Sequence, residues 1–114
     1  MVVGDHLDFL YPLPGPIAAG TYVFDVFADG SGNGSVLQAE LDDVSDAGAV
    51  AQLDVETYTL NVSGGMQSGL LMNLDKALPA VDAGCGDTLR LRISMPSGPD
   101  GGYFDSIQPE LTIP

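Results

Sequence analysis

The sequence predicts one all-β domain, a β-sandwich or jelly roll of about seven to eight antiparallel strands. Three observations lead to this prediction. Apolar and polar residues alternate with a period of two in most segments, which is typical of half-buried strands. The chain of 114 residues contains 15 Gly and 8 Pro, clustered in turn-forming stretches between those segments. Hydrophobic residues make up 45% of the chain, enough for a single core in a domain of this length.

Residues 88–95 (TLRLRISM) show the alternation most clearly and predict a strand with one apolar face. The residues expected to face the core are Leu89, Leu91, Ile93 and Met95. The residues expected on the opposite face are Arg90, Arg92 and Ser94. Because they are two positions apart, both guanidinium groups should project to the same side of the sheet.

Residues 36–41 predict another strand, in which Leu37, Ala39 and Leu41 face inward and Gln38, Glu40 and Asp42 face outward. A helix over VLQAELDDV is the alternative, since Ala, Leu, Gln and Glu are good helix formers. The segment 49–62 changes phase and predicts a β-bulge near Glu56 or Thr57. The last segment, 103–113, is expected to be a strand broken near Pro109.

The N-terminal segment is predicted to be an extended, proline-rich arm of residues 1–16, followed by one β-sandwich domain of residues 17–114. The short run His6–Leu10 leads into YPLPGP, where the prolines oppose pairing within a sheet, so this stretch should be an arm or an edge. Its apolar residues are predicted partner contacts: Leu10, Tyr11 and Leu13.

The charge balance restricts the possible partners. The chain carries 16 acidic and 3 basic residues, a formal net charge of −13. Its cations, Lys76, Arg90 and Arg92, cannot form the basic footprint that nucleic-acid binding requires, and an anionic membrane surface would repel the chain. Arg90 and Arg92 either pair with carboxylates of neighbouring strands or contact an acidic partner or an identical subunit. We predict that they bind a partner.

The residues of common catalytic sites are missing or scattered. His6 is the single histidine, and carboxylate neighbours such as Asp42 and Asp43 lack the separation and cleft that acid–base catalysis needs. Cys85 is alone, so it forms no intrachain disulfide. The first residues, MVVGDHLDFL, show no features of a secretory signal. These observations predict a protein without enzymatic activity that is made in the cytoplasm; the alternative is a domain cut from a longer secreted chain.

One loop has the spacing of a calcium site. Counted from Asp29, oxygen donors occupy positions 1, 3 and 5 (Asp29, Ser31, Asn33), glycine occupies position 6, and Glu40 occupies position 12. This resembles an EF-hand loop, whose oxygen ligands suit Ca²⁺. An EF-hand also needs an entering helix, whereas TYVFDVFA reads as a strand. The favoured interpretation is therefore a hairpin turn with a surface glutamate, and no cofactor is expected.

Three segments, GTYVFDVFADG, GDTLRLRIS and YFDSIQPELT, are similar to strands of jelly-roll carbohydrate-binding modules. This resemblance implies a sandwich fold, and it maps a family calcium ligand of the closing strand onto Asp105. A small, acidic, disulfide-free β-domain with an extended N-terminal segment also resembles the decoration (cement) proteins of phage heads. That resemblance implies a virion protein that binds a major capsid protein, often as a trimer.

We therefore expect a non-enzymatic structural or assembly protein, a virion decoration protein that stabilises the shell and forms a homo-oligomer. The alternative is a carbohydrate-binding module of a larger enzyme. The absence of Trp favours the first function, because sugar rings usually stack on exposed aromatic side chains.

Overall fold

A computed structural model describes residues 1–12, 20–61, 66–67, 70–78 and 87–112. Leu13, Pro14, Pro16 and Cys85 lie outside these ranges. Within them the secondary structure consists of strands, without a helix. The strands are β1 (His6–Pro12), β2 (Gly20–Ser31), β3 (Val36–Val44), β4 (Val50–Thr59), β5 (Met66–Gln67), β6 (Leu70–Leu78), β7 (Thr88–Ser97) and β8 (Tyr103–Thr112).

The strands form two antiparallel sheets. Sheet I has the order β1-β7-β3-β4. In sheet II, β6 and β8 both pair with residues 23–27 of β2, so they lie on its opposite edges, and β5 pairs beside β6. The all-β prediction is confirmed, and the two sheets are consistent with a β-sandwich. The jelly-roll connectivity and the number of strands stay predictions.

The core lies between the inward faces of the two sheets, as the alternation predicts. The fully buried apolar residues of sheet I are Leu37, Ala39, Leu41, Leu89, Leu91, Ile93 and Met95. Among the residues of sheet II whose burial the structure describes, the buried apolar ones are Val26, Ala28 and Phe104. The inward positions predicted for β3 and β7 are confirmed, and the helix alternative for residues 36–44 is wrong. Burial of the alternate apolar face stabilises the strand more than the helix propensity of this segment opposes it.

Phe104 needs a glycine beneath its ring. Gly30 lies opposite Phe104 in the β2–β8 register, and a Cβ at Gly30 would come within 2.8 Å of the Phe104 ring. A side chain at position 30 would therefore displace the ring of Phe104, the largest buried side chain among those whose burial is described.

The two irregular positions differ from the predicted ones. In β4 the extra residue is Leu53, because Leu41 pairs with Asp54 and Asp42 pairs with Gln52; the bulge predicted near residues 56–57 is therefore misplaced. In β8 the register shifts around Ser106, whose φ is +52°, and the strand continues through Pro109 opposite Val26. A proline fits within a strand when the position of its missing N–H faces away from the neighbouring strand.

The described part of the N-terminal segment belongs to the sandwich and does not project as an arm. His6–Pro12 pairs with β7 over its whole length and forms one edge of sheet I. Met1 exchanges two main-chain hydrogen bonds with Phe104 of sheet II, at 2.9 and 3.0 Å. The amide of Gly4 donates to the carbonyl oxygen of Met95 in sheet I at 3.0 Å. Residues 1–5 thus connect the two sheets along one side.

Core burial can be tested with two leucines on neighbouring strands. Leu91 is fully buried on β7, whereas 61% of Leu10 on β1 is exposed. We expect Leu91→Ala to lower the free energy of unfolding by about 2–5 kcal/mol through lost contacts and a cavity. Leu10→Ala should lower it by less than about 1 kcal/mol. Urea unfolding followed by circular dichroism measures both, and equal losses would contradict the assigned faces.

Candidate functional site

The side of sheet I that faces away from the core forms a four-stranded surface, which we call the outer face. The strand registers place its residues in rows across β1, β7, β3 and β4. One row consists of Asp8, Arg92, Glu40 and Val55, and the next consists of Leu10, Arg90, Asp42 and Gln52. Both arginines of the chain therefore lie at the centre of this surface, between acidic residues of the adjacent strands.

Arg92 forms a two-point ion pair with Asp8 across β7 and β1. Its Nε donates to Asp8 Oδ1 at 2.8 Å and its Nη2 donates to Oδ2 at 3.0 Å. These hydrogen bonds hold the pKa of Asp8 below its usual value and raise the pKa of Arg92. About a third of each side chain is exposed, so water and salt screen the pair and its net effect on stability is small.

Arg90 pairs with Asp42 in a more buried environment. Nε and Nη2 of Arg90 both donate to Asp42 Oδ2, at 3.2 and 2.9 Å. The Asp42 side chain is fully buried and 17% of Arg90 is exposed. Asp42 lies on the outer face as predicted, but its burial is not evident from the alternation. A buried carboxylate depends strongly on its partner, because removing the partner leaves an uncompensated charge.

Glu40 lies beside Asp42 on β3, and the two carboxyl groups interact. A side-chain hydrogen bond with Asp42 is the main cause that raises the pKa of Glu40, and burial raises it further. Asp42 Oδ1 is buried without a hydrogen-bond partner. A protonated Glu40 therefore supplies a donor to Asp42, and the charge at the centre of the outer face falls as Glu40 takes up a proton.

Exposed aliphatic residues border this charged centre. Leu10 on β1 is 61% exposed, and Val50 and Val55 on β4 are 52% and 42% exposed. The outer face thus combines arginines that are paired within the sheet and apolar side chains at both of its edges. Apolar side chains and polar groups also occur together in protein–protein interfaces.

The other residues predicted to contact a partner do not share the exposed position of Leu10 on the outer face. Tyr11 points to the opposite side of β1 and packs against the core, where burial raises the pKa of its hydroxyl group. Leu13 lies outside the described residues. The structure shows the pairing of Arg90 and Arg92 with neighbouring carboxylates, one of the two arrangements considered from the sequence. Their role in partner binding stays a prediction.

The calcium-like loop does not close into a chelating loop. Asp29 and Ser31 belong to β2, and Asn33 is exposed in the turn that follows. Glu40 lies five residues beyond Ser35 in β3, roughly 16 Å along an extended chain, and faces Arg92. The predicted hairpin is also wrong, because β2 and β3 belong to different sheets and residues 32–35 connect them. No cluster of three or more metal-ligating side chains occurs in the described ranges.

A second carboxyl pair lies on the inward side of sheet I. Asp43 pairs in register with the buried Leu89. Asp87 lies two residues before Leu89 and is 8% exposed. Burial raises the pKa of Asp43, and a side-chain hydrogen bond with Asp87 raises it further. Buried atoms without a hydrogen-bond partner include Asp43 Oδ1 and Asp54 Oδ2. No sequence pattern identified this pair, because its members are 44 positions apart.

An open depression of about 730 Å³ lies at one end of the sandwich, and we call it the end depression. Residues 1–3 form one wall, and residues 98–105, from the β7–β8 loop to the start of β8, form the rest. Exposed residues at this end include Val2, Val3, Asp100 and Asp105. The end depression therefore combines apolar surface and carboxylates.

Comparisons with protein-family models, with curated proteins and with solved structures find no match to this chain. The part of the chain that the structure describes contains no helix long and apolar enough to cross a membrane. The outer face and the end depression are therefore the features from which a function can be inferred.

The two arginines provide a matched test of burial. We expect Arg90→Ala to lower the free energy of unfolding by about 3–5 kcal/mol, because the buried Asp42 loses its partner. Arg92→Ala should lower it by about 1 kcal/mol or less. Adding Asp42→Asn to Arg90→Ala should recover part of the loss. Urea unfolding of the parent protein, the two single variants and the double variant at one pH measures these free energies. Equal effects of the two arginine variants would contradict the assigned environments.

The Asp43–Asp87 pair predicts a specific pH dependence. Because the folded-state pKa of Asp43 is raised above its ordinary value of 3.8, the protonated carboxyl stabilises the fold at low pH. That contribution is lost as the pH rises through the folded-state pKa. Asn mimics the protonated group, so Asp43→Asn should raise the melting temperature at pH 7, and the gain should shrink toward pH 4.

The matched control is Asp46→Asn, which removes the same charge from an exposed turn. Thermal unfolding of both variants and the parent protein across this pH range provides the measurement. A gain that is equal for the two variants would show that net charge alone is responsible.

Proposed function

We propose that the protein is a non-enzymatic structural or assembly protein that docks through the outer face of sheet I. The observation that carries this proposal is the combination of exposed Leu10, Val50 and Val55 with arginines already paired in the sheet. Contact with another protein would cover the aliphatic side chains without burying an unpaired arginine, because both arginines already have carboxylate partners. Interfaces with apolar residues and compensated charges are typical of stable association.

The net charge of −13 restricts which surfaces of two copies can meet. Acidic surfaces repel each other, and this repulsion favours dispersed monomers. Both arginines lie on the outer face, so this face is the least repulsive one described for a second copy. We therefore propose a homo-oligomer. A trimer would agree with the role of a virion decoration protein.

Within this class, a virion decoration protein that binds a major capsid protein is the role we favour. The two-sheet architecture agrees with it, and we propose that the connectivity is that of a jelly roll, because early strands pair with late ones in both sheets. The edge strand β1 offers a docking strand with the exposed Leu10. The predicted virion location and cytoplasmic synthesis are part of the same proposal.

The second candidate is a carbohydrate-binding module of a larger enzyme. The end depression favours it, because Tyr103, Asp100 and Asp105 could provide a stacking surface and hydrogen-bond acceptors for a sugar. Retention of the protein on an insoluble polysaccharide would support this candidate. An Asp105→Asn variant that is still retained would place the sugar elsewhere.

Two leucines of β1 test the proposed docking face. Leu10 lies on the outer face, whereas Leu7 is opposite the core residue Ile93 and is 46% exposed. We expect Leu10→Glu to weaken self-association at least about tenfold, because a charge would enter the interface, and Leu7→Glu to leave it nearly unchanged. Light scattering over a range of concentration and salt gives the native mass. A parent protein that stays monomeric throughout would contradict the homo-oligomer, and equal effects would contradict the chosen face.

A further inference from the structure

We propose that the end depression binds the cationic side chain, Arg or Lys, of a basic protein segment. This inference rests on the proposed function, because it identifies the chemistry of the partner. The depression adjoins the docking face, since residues 1–5 lead from its wall into β1, where His6 pairs with Ser94. The depression and the outer face are thus joined by residues 1–5 of one segment.

The apolar part of the depression fits the methylene groups of a long basic side chain. Val2 and Val3 are 53% and 49% exposed, and the ring of Tyr103 is partly exposed at the start of β8. Arg and Lys bury their aliphatic carbons against such surfaces while their charged groups stay polar. The face of a tyrosine ring also attracts a guanidinium or ammonium group.

Two carboxylates supply the complementary charge. Asp100 and Asp105 are both exposed and both line the depression. Oδ1 of Asp105 accepts a hydrogen bond from the Ser106 amide at 2.8 Å, which restrains the orientation of the carboxylate. Ser106 itself has a left-handed backbone at the register shift of β8.

Close packing holds the loop wall in place. A Cβ at Gly102 would lie 2.5 Å from Ser35 Oγ, and one at Gly98 would lie 2.7 Å from the methyl group of Met95. Ser35 is fully buried and its hydroxyl donates to the Ser31 carbonyl oxygen at 2.9 Å. A loop packed so tightly keeps its shape, so binding a side chain requires little ordering.

The charges favour a basic segment of another protein over a second copy or an acidic ligand. Arg90 and Arg92 are engaged with Asp42 and Asp8, so neither arginine is a ready occupant from another copy, which has one further cation, Lys76. The Met1 ammonium group also lines the depression, but it donates to the Phe104 carbonyl oxygen at 2.9 Å, and the two carboxylates outnumber it. The net charge of −13 attracts cationic segments over longer distances.

The test uses the full chain labelled with ¹⁵N and the blocked peptide acetyl-Gly-Arg-Gly-amide. The control peptide carries citrulline, which has nearly the same shape as Arg without its charge. In low salt, we expect amide shifts confined to residues 1–3 and 98–105, saturating with the Arg peptide and at least about tenfold weaker with the citrulline peptide. Asp100→Asn and Asp105→Asn should each weaken binding at least about threefold; in the latter, the Asn oxygen can still accept from the Ser106 amide.

Asp46→Asn is the matched control, because it removes the same charge at the β3–β4 turn, roughly 27 Å away along β3. Equal weakening by Asp46→Asn, or shifts spread over the acidic surface, would overturn the proposal in favour of unspecific charge attraction. Shifts at these residues with a glucan oligosaccharide and none with the Arg peptide would overturn it in favour of a sugar site. The amide shifts can be measured on a monomer. Failure of the Arg peptide to bind would therefore contradict the cation site without contradicting the homo-oligomer, which the native mass tests separately.

Discussion

Strand β7 connects the packing of the core to the charges on the surface. Its inward residues, Leu89 to Met95 at every second position, are fully buried, and its outward residues include both arginines. A slip of one residue in the pairing of β7 would exchange the two faces and place guanidinium groups in the core. An unpaired buried charge costs several kcal/mol, so the apolar burial fixes the register. That register then sets Arg92 opposite Asp8 and Arg90 opposite Asp42.

Properties that depend on one strand at a time were predictable from the sequence. The two-residue period identified the buried positions of β3 and β7 because each strand has one face toward the core. Pairing between distant strands was not predictable: Asp42 and Arg90 are 48 positions apart and Asp8 and Arg92 are 84 apart. The bulges also depend on the partner strand, because an extra residue is defined only against the register of its neighbour.

The calcium-like motif also shows that a local sequence pattern does not determine how distant parts of the chain are arranged. Its spacing from Asp29 to Glu40 fits a chelating loop, but spacing fixes ligand geometry only when the chain around it folds back. Here the second half of the motif is an extended strand in another sheet, so Glu40 moves away from the loop and takes Asp42 as its neighbour. Strand pairing outweighs the local pattern because it satisfies the main-chain hydrogen bonds of the whole segment.

The carboxyl groups of this acidic chain have different environments on the outer face, at the Asp43–Asp87 pair and at the end depression. On the outer face, arginines compensate Asp8 and Asp42, while at the Asp43–Asp87 pair burial and a shared hydrogen bond favour a retained proton. At the end depression, Asp100 and Asp105 stay exposed beside apolar surface. Carboxylates compensated inside the fold have little left to offer a ligand. Those two exposed groups line the end depression, which we propose as the site for a cationic side chain.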